Sequence, residues 1–147
     1  MKIDGACHCG RISYEAEIDP DDVTICHCTD CQTLSGSAFR VVVPARREAF
    51  SIRGEPKLYV KTAESGNRRA QAFCPDCGTA LFATAPTDAQ TYSIRLGTAR
   101  QRATLPPRRQ IWTRSALGWV MQAEAISALE ASSAASLTPT DTGRRSR

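Results

Sequence analysis

Seven cysteines fall into three tight groups, Cys7-x-Cys9, Cys26-x-Cys28-x-x-Cys31 and Cys74-x-x-Cys77, and none lies outside them. Thiols one to three residues apart are badly placed to pair with one another as ordinary disulfides. They can converge on one ion, and the pattern points to zinc. A closed structural zinc site takes four protein ligands, whereas a catalytic one takes three and keeps a position for water or substrate. Seven divides naturally as four plus three, so two zinc ions per chain are expected. Spacing does not settle which groups share an ion. The economical assignment puts Cys7, Cys9, Cys74 and Cys77 around a closed site and leaves Cys26, Cys28 and Cys31 as an open one. The competing assignment makes all seven structural, with His8 or His27 as an eighth ligand.

An odd number of cysteines argues against a complete disulfide framework, and thiolates must stay reduced to hold metal. A reducing cytoplasm is therefore the expected location. The opening residues Met1-Lys2-Ile3-Asp4-Gly5 carry no apolar run that would read as a signal peptide, and no segment approaches the length of a membrane span. At 147 residues, 41% hydrophobic and 23% charged, the chain has the size and composition of one globular domain with a real core. The formal charge of +4 is weak support for a polyanionic partner, because residues 131–147 alone contribute three arginines and one aspartate. Arginine doublets at Arg46-Arg47, Arg68-Arg69 and Arg108-Arg109 read as solvated surface, although a small acidic substrate could use one or two of them.

Pattern reading gives mostly short strands. Ile12, Tyr14, Ala16 and Ile18 alternate with polar residues and end at Asp19-Pro20. Further strands are predicted over residues 39–43, stopped by Pro44, and over 50–53, 58–61, 68–74, 81–82, 92–96 and 111–112. The spacing predicts an antiparallel, mainly β domain. Helix is confined to one turn over residues 29–34 with Thr29 as its cap, and to an ambiguous segment at 123–131. Residues 1–130 form the predicted domain. From residue 131 the chain is mostly Ala, Ser, Thr, Pro and Arg with one Leu, which predicts a disordered basic tail.

Cys74-Pro75-Asp76-Cys77-Gly78 reads as a zinc knuckle on a hairpin tip, with Gly78 free to take the positive φ such a turn needs. A redox role for this pair is disfavoured because no βαβ pattern surrounds it. Cys7-His8-Cys9-Gly10 has the same character. The triple Cys26-His27-Cys28-Thr29-Asp30-Cys31 differs, since it offers three thiolates from one segment. Three thiolates and Zn²⁺ sum to −1, which favours thiolate transfer over generating a strong hydroxide. Ser37 and Thr29 could hydrogen-bond substrate, but ordinary turn and cap roles account for them better. No Ser-His-Asp set, phosphate loop or nucleotide fingerprint is present.

The strings Gly5-Ala6-Cys7-His8-Cys9-Gly10, Cys26-His27-Cys28-Thr29-Asp30-Cys31-Gln32, Gly36-Ser37-Ala38-Phe39 and Phe73-Cys74-Pro75-Asp76-Cys77-Gly78-Thr79 together resemble the glutathione-dependent formaldehyde-activating enzyme family, which includes centromere protein V. The resemblance runs over roughly residues 3–120. It implies a β-tent zinc-binding fold built of small antiparallel sheets. It also implies a structural zinc on Cys7, Cys9, Cys74 and Cys77, and a catalytic zinc on Cys26, Cys28 and Cys31. The implied activity is that of a carbon–sulfur lyase acting on the glutathione adduct of formaldehyde or a related small aldehyde. The partner is then a small thiol or aldehyde, with no role for a membrane and no call for nucleic acid. Two positions depart from the family pattern: Gln110 stands where a histidine is common, and Gly118 where a proline is common. The rival reading is a zinc-stabilised module that binds protein or nucleic acid without turnover. An open metal position at the triple separates the two.

Overall fold

The structure, a computed structural model, describes residues 1–63 and 65–125. Residues Met1–Leu117 form one compact unit. It is mainly β. Its strands are β1 (Lys2–Ala6), β2 (Ser13–Ile18), β3 (Thr24–Cys26), β4 (Arg40–Arg53), β5 (Lys57–Thr62), β6 (Arg68–Phe73), β7 (Ala80–Thr84), β8 (Thr91–Arg95) and β9 (Arg109–Ile111), with one helix, α1 (Thr29–Ser35). The pairing order is β1-β2-β4-β8-β7-β6-β5, and β3 joins β4 on one side and β9 on the other. Every pair is antiparallel as predicted except β3 with β9, which runs parallel and sets Cys26 opposite Ile111.

Pro44 does not end a strand. The segments 39–43 and 50–53, read from the sequence as separate strands, belong, Phe39 apart, to the single fourteen-residue β4. Along one edge β4 pairs with β3 through Val42 and with β2 from Ala45 onward. Pro44 falls between these partners, the kind of position where a strand tolerates a residue without an N–H. Strands β1 and β3 were not predicted. Each is too short, and β1 too mixed in pattern, to show a clear period.

Alternation gives the sheet two working faces. Val43, Ile94, Phe82 and Ala72 stand opposite one another across β4, β8, β7 and β6, and all are buried. They join Ile12, Val23, Leu81 and Leu105, which are fully buried, in one core. Phe50 stacks on Tyr92 at 4.4 Å between ring centroids and meets Phe82 edge-on, which seals that core where β2 crosses β4. One residue out of phase, Val42, Ser93, Arg95, Ala83, Gln71 and Arg69 face the other way and line a recess.

Gly118–Ala125 is a 3-10 helix in its own unit. The rest of the ambiguous 123–131 segment and the tail expected from residue 131 lie outside the described residues.

Candidate metal centres

The first cluster joins two hairpin turns that are far apart in sequence. Cys7 and Cys9 lie in the turn between β1 and β2, and Cys74 and Cys77 lie in the turn between β6 and β7. All four sulfurs lie within 4.8 Å of one another. Cys7 Sγ is 3.5 Å from Cys9 Sγ, and Cys9 Sγ is 3.8 Å from Cys74 Sγ. A tetrahedron with Zn–S bonds of about 2.3 Å has edges of about 3.8 Å, so the sulfurs fit zinc. Local hydrogen bonds shape both turns. The Cys7 amide donates to Ile12 O and the Gly10 amide to Cys7 O; the Cys74 amide donates to Thr79 O and the Gly78 amide to Cys74 O. Gly78 takes φ +71°, as its place after the second cysteine predicted. The His8 amide donates to Thr79 Oγ1 and couples the two turns directly.

The four thiols do not ionise alike. The Thr79 hydroxyl, then the Thr79 and Cys9 amides, hold Cys77 down to about 5. The Arg11 amide lowers Cys9, but the Cys7 and Cys77 thiols outweigh it and push it up to about 12. Burial raises Cys7, yet the Ile12 amide, donating to its sulfur at 3.2 Å, and the neighbouring thiols bring it down on balance. Four sulfurs this close cannot all carry charge unless a cation sits among them.

The second cluster holds Cys26, Cys28 and Cys31, whose sulfurs also lie within 4.8 Å of one another. Cys26 ends β3. Cys28, not Thr29, is the N-cap of α1, because its sulfur accepts from the Cys31 amide at 3.4 Å. The helix has seven residues and ends at Gly36, in the left-handed conformation at φ +62°. Capping and geometry together turn the first helical turn into a three-sulfur bowl. A hydrogen bond from the Cys31 thiol, against the cost of burial, lowers Cys26. The same contact, with burial, raises Cys31, and burial raises Cys28. Cys26 is thus the most readily ionised of the three.

Among the described residues no histidine or carboxylate joins either cluster. His27 is fully buried, and its Nε2 donates to Gln110 Oε1 at 2.7 Å. Its ring also meets Phe39 edge-on. Gln110, the position that departs from the family pattern, thus anchors the histidine between the cysteines. The Gln32 side chain donates to the backbone oxygens of both His27 and Ser115, and the His27 amide donates to Ile111 O. Through the parallel β3–β9 pair, residues 110–115 brace a cysteine segment more than eighty positions away.

The second cluster opens into a recess of about 330 Å³, lined also by Asp30, Asn67, Arg69, Gln71, Arg95 and Trp112. Trp112 holds φ +59°, a costly conformation for a bulky residue and of the kind found where a site imposes it. Ser37 and Thr29 do not line the recess. The sequence reading missed Arg40 and Arg95, which are buried beside the cluster. Burial lowers Arg40 even though the thiolates of Cys31, Cys28 and Cys26 favour its charge. Burial, with the neighbouring Arg40 charge, lowers Arg95 to about 9. The signal was present but faint: Arg95 stands between Ile94 and Leu96 in a strand whose other residues are apolar or small.

Fold and geometry define a mainly β protein with two cysteine centres able to hold metal, one made of four sulfurs and the other of three opening into a recess. The profile of the family described as glutathione-dependent formaldehyde-activating enzyme matches residues 2–115, and the chain belongs to that family. The crystal structure of a Rhodobacter sphaeroides protein is similar at TM-score 0.55 and 19% identity, covering 73% of this chain and 98% of that one. At that identity the likeness shows the fold. No curated protein matches the chain. Among the described residues no helix is long and apolar enough to cross a membrane.

Proposed function

We propose that the chain is a carbon–sulfur lyase that joins a thiol, glutathione in the first instance, to formaldehyde or a related small aldehyde, and splits the adduct in reverse. The observation that carries this is a three-sulfur centre with no fourth side chain among the described residues, opening into a recess of ligand size, in a chain of this family. In this reading Cys26, Cys28 and Cys31 hold the catalytic zinc, and Cys7, Cys9, Cys74 and Cys77 hold the structural one. A zinc ion held by these three thiolates would lower the pKa of a thiol, and the net −1 charge of such a site would favour thiolate delivery over hydroxide formation. The thiol sulfur forms the C–S bond to the carbonyl carbon, and the proton it gives up ends on the former carbonyl oxygen as a hydroxyl. The reverse reaction returns thiol and aldehyde.

The chain's own residues set the stage. The Cys28 cap and the β3–β9 pairing aim three sulfurs at one point. His27, Gln110 and Gln32 hold that segment rigid, so little reorganisation is needed when substrate arrives. Arg40 offsets the negative charge of the sulfurs from behind. Ile111 and Trp112 supply apolar wall, which shields a reactive aldehyde from water. The reduced thiols this chemistry needs belong in a reducing cytoplasm.

The test is zinc content per chain together with S-hydroxymethylglutathione exchange followed by NMR, in wild type and Cys31→Ser. Two zincs and exchange are expected in wild type. One zinc and no exchange are expected in the variant. Full exchange in Cys31→Ser, or none in wild type carrying two zincs, would overturn the reading.

A further inference from the structure

The geometry points to the outer edge of β5 as the place where two copies of this chain join, strand to strand, into an antiparallel dimer. The main path of the sheet ends at β1 and at β5, and the two ends are finished differently. Beyond β1, Gly5 bridges to Ala99 and the Asp4 amide donates to Gln101 Oε1, so that edge is covered. β5 pairs with β6 alone, and no backbone group on its other side has a hydrogen-bond partner among the described residues. The phase of the hairpin fixes which groups these are. The Ala63 amide donates to Asn67 O, and ladder bonds then recur at every second residue, through Lys61, Tyr59 and Lys57. The N–H and C=O of Leu58, Val60 and Thr62 therefore point away from β6, along the bare edge. Side chains here are open as well: Leu58 is 52% exposed, Tyr59 53% and Val60 38%. A bare strand edge that also carries exposed apolar side chains is a template for another strand.

The occupant is a second copy because β5 is complementary to itself in one register. Lysines guard an edge against pairing, and β5 carries Lys57 and Lys61. Lys61 is bound to Asp30, which offsets its charge. Pairing centred on Tyr59 sets Lys57 opposite Lys61 of the second copy, and pairing centred on Lys61 sets that lysine opposite itself; both are repulsive. Pairing centred on Val60 sets Val60 on Val60, Leu58 on Thr62 and Lys57 on Ala63, with no like charges opposed. Leu58, Val60 and Thr62 then each exchange both N–H···O bonds with the residue opposite. Tyr59 falls opposite Lys61, whose stem and ammonium suit an aromatic face. The two-fold axis through Val60 stands perpendicular to the sheet, so side chains keep their face. Tyr59 and Lys61 lie opposite Gln71 and Arg69 on β6, on the face that carries the recess. Both recesses then open on one face of a continuous sheet, and Lys57 of the second copy stands beside Ala63, a residue of the recess wall. The assembly needs no particular chemistry at the cysteines. Its contact is one strand wide, smaller than the roughly 1,200 Å² of a standard interface, so the dimer is reversible, with Kd on the order of 10 μM.

Sedimentation velocity on the full zinc-loaded chain, at concentrations spanning that value, should show monomer passing to dimer. Val60→Lys places two ammonium groups side by side on the axis and should weaken the dimer about tenfold or more. Val60→Pro removes an N–H that faces away from β6, so β5 should stay paired in the monomer while the dimer is lost. Leu117→Lys, at an exposed apolar residue outside β5, should leave association unchanged. Melts by circular dichroism keep loss of association apart from loss of fold. Amide hydrogen exchange by NMR reads the edge itself. The Tyr59 and Lys61 amides, bonded to β6, should be protected at every concentration, and those of Leu58, Val60 and Thr62 only as the dimer fills. A wild type that stays monomeric throughout would overturn the proposal, as would a dimer that folded Val60→Lys and Val60→Pro leave intact. Protection of Leu58, Val60 and Thr62 in the dilute monomer would assign the edge to another segment of the same chain and overturn it too.

Discussion

Replacing Cys77 with serine should damage the fold far more than replacing Cys31, and chain entropy gives the difference. A metal on the four-sulfur cluster closes the loop between Cys9 and Cys74, which are 65 positions apart. By the cross-link relation, closing a loop of that length removes about 4 kcal/mol of chain entropy from the unfolded state. A metal on Cys26, Cys28 and Cys31 closes a loop of only five positions, worth about 2 kcal/mol on the same relation. The total stability of a domain this size is about 5–15 kcal/mol, so the first loss is a large share of it. The second is buffered, because the β3–β9 pairing and the Gln32 and His27 hydrogen bonds tie that segment down without metal. Cys77 also has its sulfur held by the Thr79 hydroxyl at 3.2 Å, and serine there would be a poor zinc ligand. Thermal melts by circular dichroism, with zinc measured on the same samples, should show Cys77→Ser melting roughly 10–15 °C below wild type, or not folding at all. Cys31→Ser should melt within a few degrees of wild type with one zinc retained. A Cys77→Ser protein that melts cooperatively at the wild-type temperature would refute the reasoning, because the long-loop clamp would then contribute nothing.

Two further changes probe the core and one close approach. Leu81→Ala empties a fully buried position on β7 and should cost about 2–5 kcal/mol in urea unfolding, with an unchanged m-value. Gly5→Ala places a Cβ 2.4 Å from both the Tyr14 hydroxyl and the Thr98 carbonyl oxygen, so β1 must shift. Its expected cost is about 1–3 kcal/mol by the same assay, and a neutral result would mean that both Tyr14 and the Thr98 backbone yield freely.

The cysteine spacing alone pointed to metal, but left open which groups would share an ion. Ligands two or three residues apart must share an ion whatever fold surrounds them, so this property is local. The knuckle at Cys74 and Cys77, the positive φ of Gly78 and most strands were legible for the same reason: period and turn chemistry act over a few residues. The pairing of Cys7 and Cys9 with Cys74 and Cys77 was economical but open in the sequence, and the sulfur distances decided it. Other features were set by distant partners. Pro44 looked like a strand end, yet β4 runs through it because its edge partners change there. Thr29 looked like a cap, yet the sulfur of Cys28 takes the amide because the loop entering α1 presents it. Gln110 looked like a departure from a family pattern and proved to hold His27. The arginine recess was invisible for a deeper reason. Alternation along a strand tells which residues share a face, but not what that face meets. Arg69 and Arg95 are on β6 and β8, strands joined only through β7, and register across three strands is a property of the folded sheet.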